Sequence, residues 1–94
     1  RFDGTAAAAM GLVSQAVPRD ELMDTALGTA RALAGGATVA LGMTKTLVDR
    51  SWQLSFEEMA EAEAFSQSVC RSSQDHREGL AAFSEKRDAV FTGR

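Results

Sequence analysis

The sequence predicts a mainly α-helical protein with at most one short β-strand near its N-terminus. Apolar residues recur at helical spacing through most of the chain. Ser55 with Glu58, and Asp75 with Glu78, have the three-residue spacing of a helix N-terminal capping box. Together with the helix-breaking pair Gly35-Gly36, these signals predict a short helix, one strand and then four further helices.

The N-terminal residues combine a short helix with a strand-like segment. Asp3 can cap a helix through Ala6–Met10, since alanine loses no side-chain entropy in a helix, and Gly11 is a natural stop. Leu12–Val17 is β-capable and ends at Pro18, which cannot donate to a ladder. Because everything after it has a helical pattern, this strand has no partner in the chain. Its hydrogen bonds are expected to go to something outside these residues, or the segment is not a strand in isolation.

Two amphipathic helices are predicted next, one from Asp20 to about Ala34 and one from about Ala37 to Arg50. Gly35-Gly36 separates them. Gly42 lies inside the second of these helices, where it costs about 1 kcal/mol relative to alanine. It therefore indicates the close approach of another backbone at that position.

The capping box at Ser55 opens a helix that runs to about Arg71 and has two apolar faces. One face carries Phe56, Met59, Ala60 and Cys70, and the other carries Ala62, Phe65 and Val69. A helix with two apolar faces needs two neighbours, and a chain of this size supplies only one of them. This favours an oligomer, or docking on further parts of the same polypeptide.

A final helix is predicted to begin at Asp75 after the polar link Ser72-Ser73-Gln74. Gly79, Phe83, Lys86 and Val90 then fall within one narrow arc, which would place an aromatic face, bare backbone and a cation side by side. Such a grouping could hold something flat and anionic. The alternative is that Phe83 belongs to the core and that Lys86 is an ordinary surface lysine.

Composition excludes several classes of protein. The net charge of -3, with acidic and basic residues interspersed, gives no field that favours nucleic acid. No apolar run approaches the ~20 residues that span a bilayer. The single cysteine, Cys70, cannot form an internal disulfide, so a cytoplasmic protein is the simplest interpretation. The chain starts at Arg1 without an initiator methionine, which favours a fragment.

Other candidate chemistry has plainer alternatives. Glu63 falls on the Phe56 face of its helix, where a buried acid could act in catalysis. The favoured interpretation is a structural carboxylate held by Arg77, by Arg87 or by a helix terminus. Cys70 and His76 lie on different predicted helices with nothing to orient the base, so an inert thiol is expected. The sequence has no spaced set of metal ligands, and no metal site is predicted.

The final residues resemble a known family. Asp75-x-x-Glu78-Gly79, Ala82-Phe83, Glu85-Lys86-Arg87 and Phe91-x-Gly93-Arg94 together look like the C-terminal signature of the enoyl-CoA hydratase/isomerase, or crotonase, family. Upstream, Gly11–Pro18 is similar to the strand that leaves the core of that family, and Met43-Thr44-Lys45 stands where its members carry a Thr-Lys pair. These pieces occur in the right order and spacing, and the resemblance covers essentially the whole chain.

The resemblance implies which parts of such an enzyme this chain would supply. Residues 1–18 would be the end of the crotonase core, and residues 19–94 the C-terminal helical region that builds trimers, commonly paired into hexamers. Phe83 and Lys86 would contribute to the nucleotide end of the site for coenzyme A (CoA). The substrate would be an acyl-CoA thioester of fatty acid metabolism, without a separate cofactor.

The resemblance places the oxyanion hole and the acidic residues of the reaction upstream of this chain. No catalytic residue is therefore assigned within it, and the chain alone is expected to be inactive. The sequence leaves hydratase, isomerase and related chemistry open. The alternative function, from a different class, is a non-catalytic helical module that only self-associates.

Overall fold

Five helices and no strand make up the computed structural model, which describes residues 1–94. The prediction of a mainly helical protein is confirmed. No helix has both the length and the apolar character needed to cross a membrane. The helices are Gly4–Ala9 (α1), Leu22–Ala34 (α2), Thr38–Arg50 (α3), Phe56–Ser72 (α4) and Gln74–Glu85 (α5).

The chain divides into two compact units, Arg1–Ala30 and Arg31–Arg94. These units are defined by which residues contact each other within the chain. The predicted boundary between residues 1–18 and 19–94 instead separates regions of the resembled family, and it stays a prediction.

The first unit begins with the capped helix that the sequence predicts. The Asp3 carboxylate accepts a hydrogen bond from the N–H of Ala6 at 2.9 Å and closes the first turn of α1. Gly11 has φ +75° and ends this region, as expected for a stop signal. Leu12–Val17 forms no strand. No other segment of the chain is extended alongside it, so its backbone has no ladder to join.

Glycine has two different roles around α3. A Cβ on Gly36 would lie 3.0 Å from Cδ1 of Leu41 and 3.3 Å from the carbonyl oxygen of Leu33, so the break between α2 and α3 leaves little room for a side chain. A Cβ on Gly42 would meet no atom within 4 Å. The close backbone approach predicted at Gly42 therefore does not occur within this chain.

The capping box that opens α4 is confirmed. The N–H of Ser55 donates to Oε2 of Glu58 at 2.8 Å, and the N–H of Glu58 donates to Oγ of Ser55 at 3.2 Å. These bonds, first of all the one from the Ser55 backbone, lower the pKa of Glu58. Helix α4 packs against both α3 and α5. Phe65 nevertheless remains 70% exposed, so part of the two-faced helix has no neighbour in this chain.

The start of α5 differs from the prediction. Ser73, rather than Asp75, is the N-cap, and its Oγ accepts from the N–H of His76 at 3.0 Å. The same residue ends α4, since its N–H and its hydroxyl both donate to the carbonyl of Cys70. Asp75 and Glu78 therefore do not form a capping box, and the predicted three-residue link is reduced to Ser73.

Asp75 instead fastens the C-terminal residues 86–94, called here the return segment. Its side chain is almost fully buried, with 2% of the residue exposed. Its carboxylate accepts hydrogen bonds from the backbone N–H groups of Thr92 at 2.7 Å and of Gly93 at 2.8 Å. The N–H of Asp75 donates in turn to the backbone oxygen of Arg94 at 2.9 Å. One residue thus both donates to the return segment and accepts from it.

Gly93 cannot carry a side chain in this arrangement. Its φ is +75°, and a Cβ there would lie 2.6 Å from Oγ1 of Thr38 on α3. Both the backbone conformation and the close contact require glycine. The return segment is therefore held against α3 as well as α5.

Glu78 holds the beginning of the return segment through Arg87. The Nη1 of Arg87 donates to Oε1 of Glu78 at 2.6 Å, and Nη2 donates to Oε2 at 3.0 Å. The N–H of Val90 also donates to Oε1 at 2.8 Å. Above all the hydrogen bonds from Arg87, and then the one from Val90, lower the pKa of Glu78 from its ordinary 4.5 to about 2.

Replacement of Asp75 by asparagine should destabilise the return segment. An amide presents a donor to one of the two backbone N–H groups, so at least one buried hydrogen bond is lost. We expect Asp75→Asn to lower the free energy of unfolding by about 2 kcal/mol in urea titration. Asp88→Asn, which makes the same chemical change at an exposed position of the return segment, is the control. Equal losses in the two variants would contradict this role for Asp75.

Acid should release the contact between Glu78 and Arg87. A carboxylate whose pKa is depressed on folding contributes stability above its unfolded pKa and loses it as the pH falls through the folded value. For Glu78 this window runs from about pH 4.5 down to about pH 2. A carbon-13 titration of the Glu78 carboxyl group should give a midpoint near the lower limit. Glu78→Gln should remove this component from the pH dependence of thermal stability, whereas Glu61→Gln should retain it.

Candidate functional site

The candidate site lies where α5 ends in a backbone turn centred on Lys86. The N–H of Lys86 donates to the carbonyl of Phe83 at 3.4 Å, and the N–H of Arg87 donates to the carbonyl of Ala82 at 3.1 Å. This pair of bonds is that of a Schellman motif. Lys86 has φ 56° and ψ 42°, the left-handed conformation that glycine adopts most easily. The turn ends the helix at Glu85 and starts the return segment.

The turn corrects the helical arc predicted for this site. Val90 lies in the return segment and not on α5. Gly79 does not offer bare backbone, because a Cβ there would lie only 3.7 Å from Cε1 of Phe91. The return segment therefore covers the glycine. Of the four predicted residues, only Phe83 and Lys86 remain together at the end of the helix.

Phe83 and Lys86 are both freely accessible. Phe83 is 88% exposed, so its assignment to the core does not hold within this chain. Lys86 is also exposed, and its ammonium group takes part in no ion pair. An exposed aromatic ring three residues from an unpaired lysine offers groups suited to a flat ligand and to an anion.

The two neighbours of Lys86 in sequence are paired with each other. The Nε of Arg87 donates to Oε2 of Glu85 at 2.6 Å, in addition to the contacts that Arg87 makes with Glu78. Hydrogen bonds first to Glu78 and then to Glu85 raise the pKa of Arg87 further above its ordinary value. Lys86 is thus the one charged residue of the Glu85-Lys86-Arg87 triplet that forms no ion pair.

A separate cavity of about 260 Å³ lies beneath the return segment. Its lining is mostly apolar and includes Val39, Ala40, Gly79 and Phe91, together with Cys70 and His76. The thiol and the imidazole thus line one cavity from different helices. No hydrogen bond joins them, which agrees with the inert thiol favoured by the sequence.

Glu63 does not occupy the buried position that its helical face predicts. It is exposed and lines an open depression beside Met43 and Gln67. Of the two arginines considered as its partner, Arg87 is bound to Glu78 and Glu85 instead, and Arg77 forms no ion pair with Glu63. The less exposed residues of α4 are Met59, Ala62, Ser66, Val69 and Cys70, of which only Ser66 is buried. Glu63 therefore lies at the exposed edge of this strip.

The sequence profile of the family described as Enoyl-CoA hydratase/isomerase matches residues 1–94. A protein of Rhizobium meliloti described as "Probable enoyl-CoA hydratase" is 38% identical over 96 residues, which cover 99% of this chain and 36% of that protein. The human "Enoyl-CoA hydratase domain-containing protein 2, mitochondrial" is 35% identical over 98 residues, covering 100% of this chain and 34% of that protein.

The structure gives the same result. It matches the crystal structure of an enoyl-CoA hydratase from Geobacillus kaustophilus with a TM-score of 0.91 and 29% identity, over 99% of this chain and 35% of that one. The chain thus spans about a third of the length of the relatives it matches. A match of both sequence and structure over its whole length shows that the chain belongs to the enoyl-CoA hydratase/isomerase family.

Proposed function

We propose that this chain is the C-terminal part of an enzyme that acts on acyl-CoA thioesters. In this role it contributes to oligomerisation and supplies one wall of the CoA pocket through Phe83 and Lys86. No residue of the chain takes part in the chemical step.

The observation that carries the CoA-binding role is the left-handed conformation of Lys86. A residue with a Cβ pays about 1–2 kcal/mol for this conformation, and glycine avoids the penalty. A non-glycine residue in this strained conformation indicates that its side chain has a function. The ammonium group of Lys86 is exposed and unpaired, so it is free to bind an anionic ligand.

The chemistry of the two side chains suits the nucleotide end of CoA. Phe83 offers an open ring face on which a purine can stack. Lys86 offers a compact positive charge that can neutralise a phosphate. The two residues are joined by the backbone hydrogen bond from the N–H of Lys86 to the carbonyl of Phe83, and we propose that one ligand contacts both. In the complete protein, we propose that this wall completes a pocket on a neighbouring subunit.

Catalysis is assigned to residues outside this chain. In hydratases and isomerases of the family, oxyanion donors stabilise the thioester enolate, and acidic residues move protons. Within the chain, the groups with clearly shifted pKa values are Glu58, Glu78 and Arg87. A helix cap accounts for the first, and the contact to the return segment accounts for the other two. These shifts give no support for a general acid or base.

Oligomerisation is supported by large apolar side chains that no other residue of this chain covers. Trp52 is 93% exposed, and Phe56 and Phe65 are exposed as well. Exposed apolar patches mark interaction surfaces. We infer that subunit contacts, in a trimer or a hexamer, cover part of this surface and that the rest of the polypeptide covers the remainder.

The same exposed surface also favours the second candidate, a helical module that self-associates without binding CoA. The two candidates differ in whether Phe83 and Lys86 contact a nucleotide. For either, a cytoplasmic location is proposed, which rests on Cys70 being a free thiol.

Substitutions at Phe83 and Lys86 should weaken CoA binding in the full-length protein. We expect Lys86→Ala to raise the Kd for acetyl-CoA about tenfold, measured by isothermal titration calorimetry. Phe83→Ala should have an effect of about the same size, because stacking on the base is lost. Both variants should bind a pantetheine thioester, which lacks the nucleotide, as tightly as the unsubstituted protein.

Lys86→Gly distinguishes the role of the Lys86 side chain in CoA binding from its effect on the stability of the turn. Glycine fits the left-handed conformation, so this variant should be more stable than Lys86→Ala by about 1 kcal/mol. It should nevertheless lose the same affinity for CoA. Lys45→Ala, at an exposed lysine on α3, is the control. Unchanged affinity in both the Lys86 and the Phe83 variants would leave only the self-association module.

The 94-residue chain by itself should associate and should not catalyse hydration. Its exposed apolar faces favour contact between copies, and the oxyanion donors lie elsewhere. Light scattering should therefore show species larger than a monomer, and an absorbance assay with crotonyl-CoA should show no turnover. A stable monomer would contradict the association, and turnover by the purified chain would contradict the assignment of catalysis to other residues.

A further inference from the structure

Glu78 binds the side chain of Arg87, the residue that directly follows Lys86. Its carboxylate accepts two hydrogen bonds from the guanidinium of Arg87 and one from the N–H of Val90. These contacts fix the return segment on both sides of residue 88. They leave the intervening chain little freedom to relax the turn at Lys86.

We propose that Glu78 is a positioning residue for CoA binding. It keeps Arg87 and Glu85 occupied, and it holds the Lys86 turn in the conformation that presents the ammonium group to the ligand. This inference rests on the proposed function of Lys86. Glu78 itself does not contact the nucleotide in this arrangement.

The physical reason is that a strained turn persists only where the surrounding contacts determine it. The hydrogen bonds of the Schellman motif at this turn include a long one, 3.4 Å from the N–H of Lys86 to the carbonyl of Phe83. Without Glu78, the next hydrogen bonds to the rest of the chain beyond the turn are those of Thr92 and Gly93 with Asp75. Lys86, the one residue of the turn with a positive φ, would then be free to leave the left-handed conformation.

Loss of Glu78 would also change the pairing within the triplet. Glu85 is 60% exposed at its side chain and is held only by Nε of Arg87. Once Arg87 is released from Glu78, Glu85 and Arg87 can both move, and Glu85 can pair with the ammonium of Lys86. A neutralised lysine would bind a phosphate poorly.

Simple electrostatics predicts the opposite result. Glu78 carries a negative charge near the proposed phosphate site, so removal of that charge should favour an anionic ligand. If Glu78 acts only through its charge, Glu78→Gln binds CoA more tightly. If Glu78 positions the turn, Glu78→Gln binds CoA more weakly. The direction of the change therefore separates the two roles.

The test is a double-mutant cycle in the full-length protein at neutral pH, with acetyl-CoA as the probe. The four proteins are the unsubstituted protein, Glu78→Gln, Lys86→Ala and the double variant. We expect Glu78→Gln to raise the Kd about threefold when Lys86 is present and to have no effect when Lys86 is alanine. With crotonyl-CoA as substrate, KM should rise in Glu78→Gln while kcat stays unchanged.

Two further variants test whether the loss of affinity comes from the Glu78–Arg87 contact and not from the removal of any surface charge. Arg87→Lys keeps the charge and loses the two-pronged contact with Glu78, so it should weaken binding in the same way and provides a second measurement if Glu78→Gln folds poorly. Glu61→Gln, at an exposed glutamate on α4, should bind as the unsubstituted protein does.

Each outcome has a distinct meaning. If Lys86→Ala leaves the Kd unchanged, the proposed CoA-binding role fails, and the positioning role fails with it. If Lys86→Ala weakens binding but Glu78→Gln leaves it unchanged or tighter, only the positioning role is overturned. If Glu78→Gln weakens binding equally with and without Lys86, the effect is a general loss of structure, which also overturns the positioning role.

Discussion

The buried carboxylate of Asp75 is the constraint on which the second unit of this protein depends. It accepts from two backbone N–H groups of a segment that has no secondary structure of its own. A buried ionised group is tolerated only with such partners. These hydrogen bonds fix the backbone of the return segment at Thr92 and Gly93. The segment has no helix or strand that would fix it otherwise. The cover over Gly79 and the Glu78–Arg87 contact both lie within the loop that Asp75 closes.

Local signals in the sequence predicted the helices well. The breaks at Gly35-Gly36, the Ser55–Glu58 box and the Asp3 cap depend on residues within four positions of each other, and all were confirmed. Leu12–Val17 forms no strand because β-structure requires a distant partner. A mainly helical fold can therefore be predicted from local sequence. Whether a single segment such as Leu12–Val17 forms a strand cannot, because that depends on a partner strand.

The site was predicted less completely, for a physical reason. Asp75 and Glu78 have the spacing of a capping box, and Ser73, two residues earlier, also suits a cap. Propensity alone does not decide between them. The contacts that decide are 12 to 18 residues away in sequence, at Val90, Thr92 and Gly93. Phe83 and Lys86 were proposed because their resemblance to a family signature is local. The contacts of Asp75 and Glu78 with the return segment were missed because they join residues that are far apart in sequence.

The use of one side chain as the acceptor for two amides gives the return segment an unusual dynamic character. In a helix, each amide has its own carbonyl acceptor, so amides at the end of the helix can open one at a time. Thr92 and Gly93 share the carboxylate of Asp75, and a rotation of that side chain releases both together. We therefore expect Thr92 and Gly93 to open together as a cooperative unit, without fraying one residue at a time.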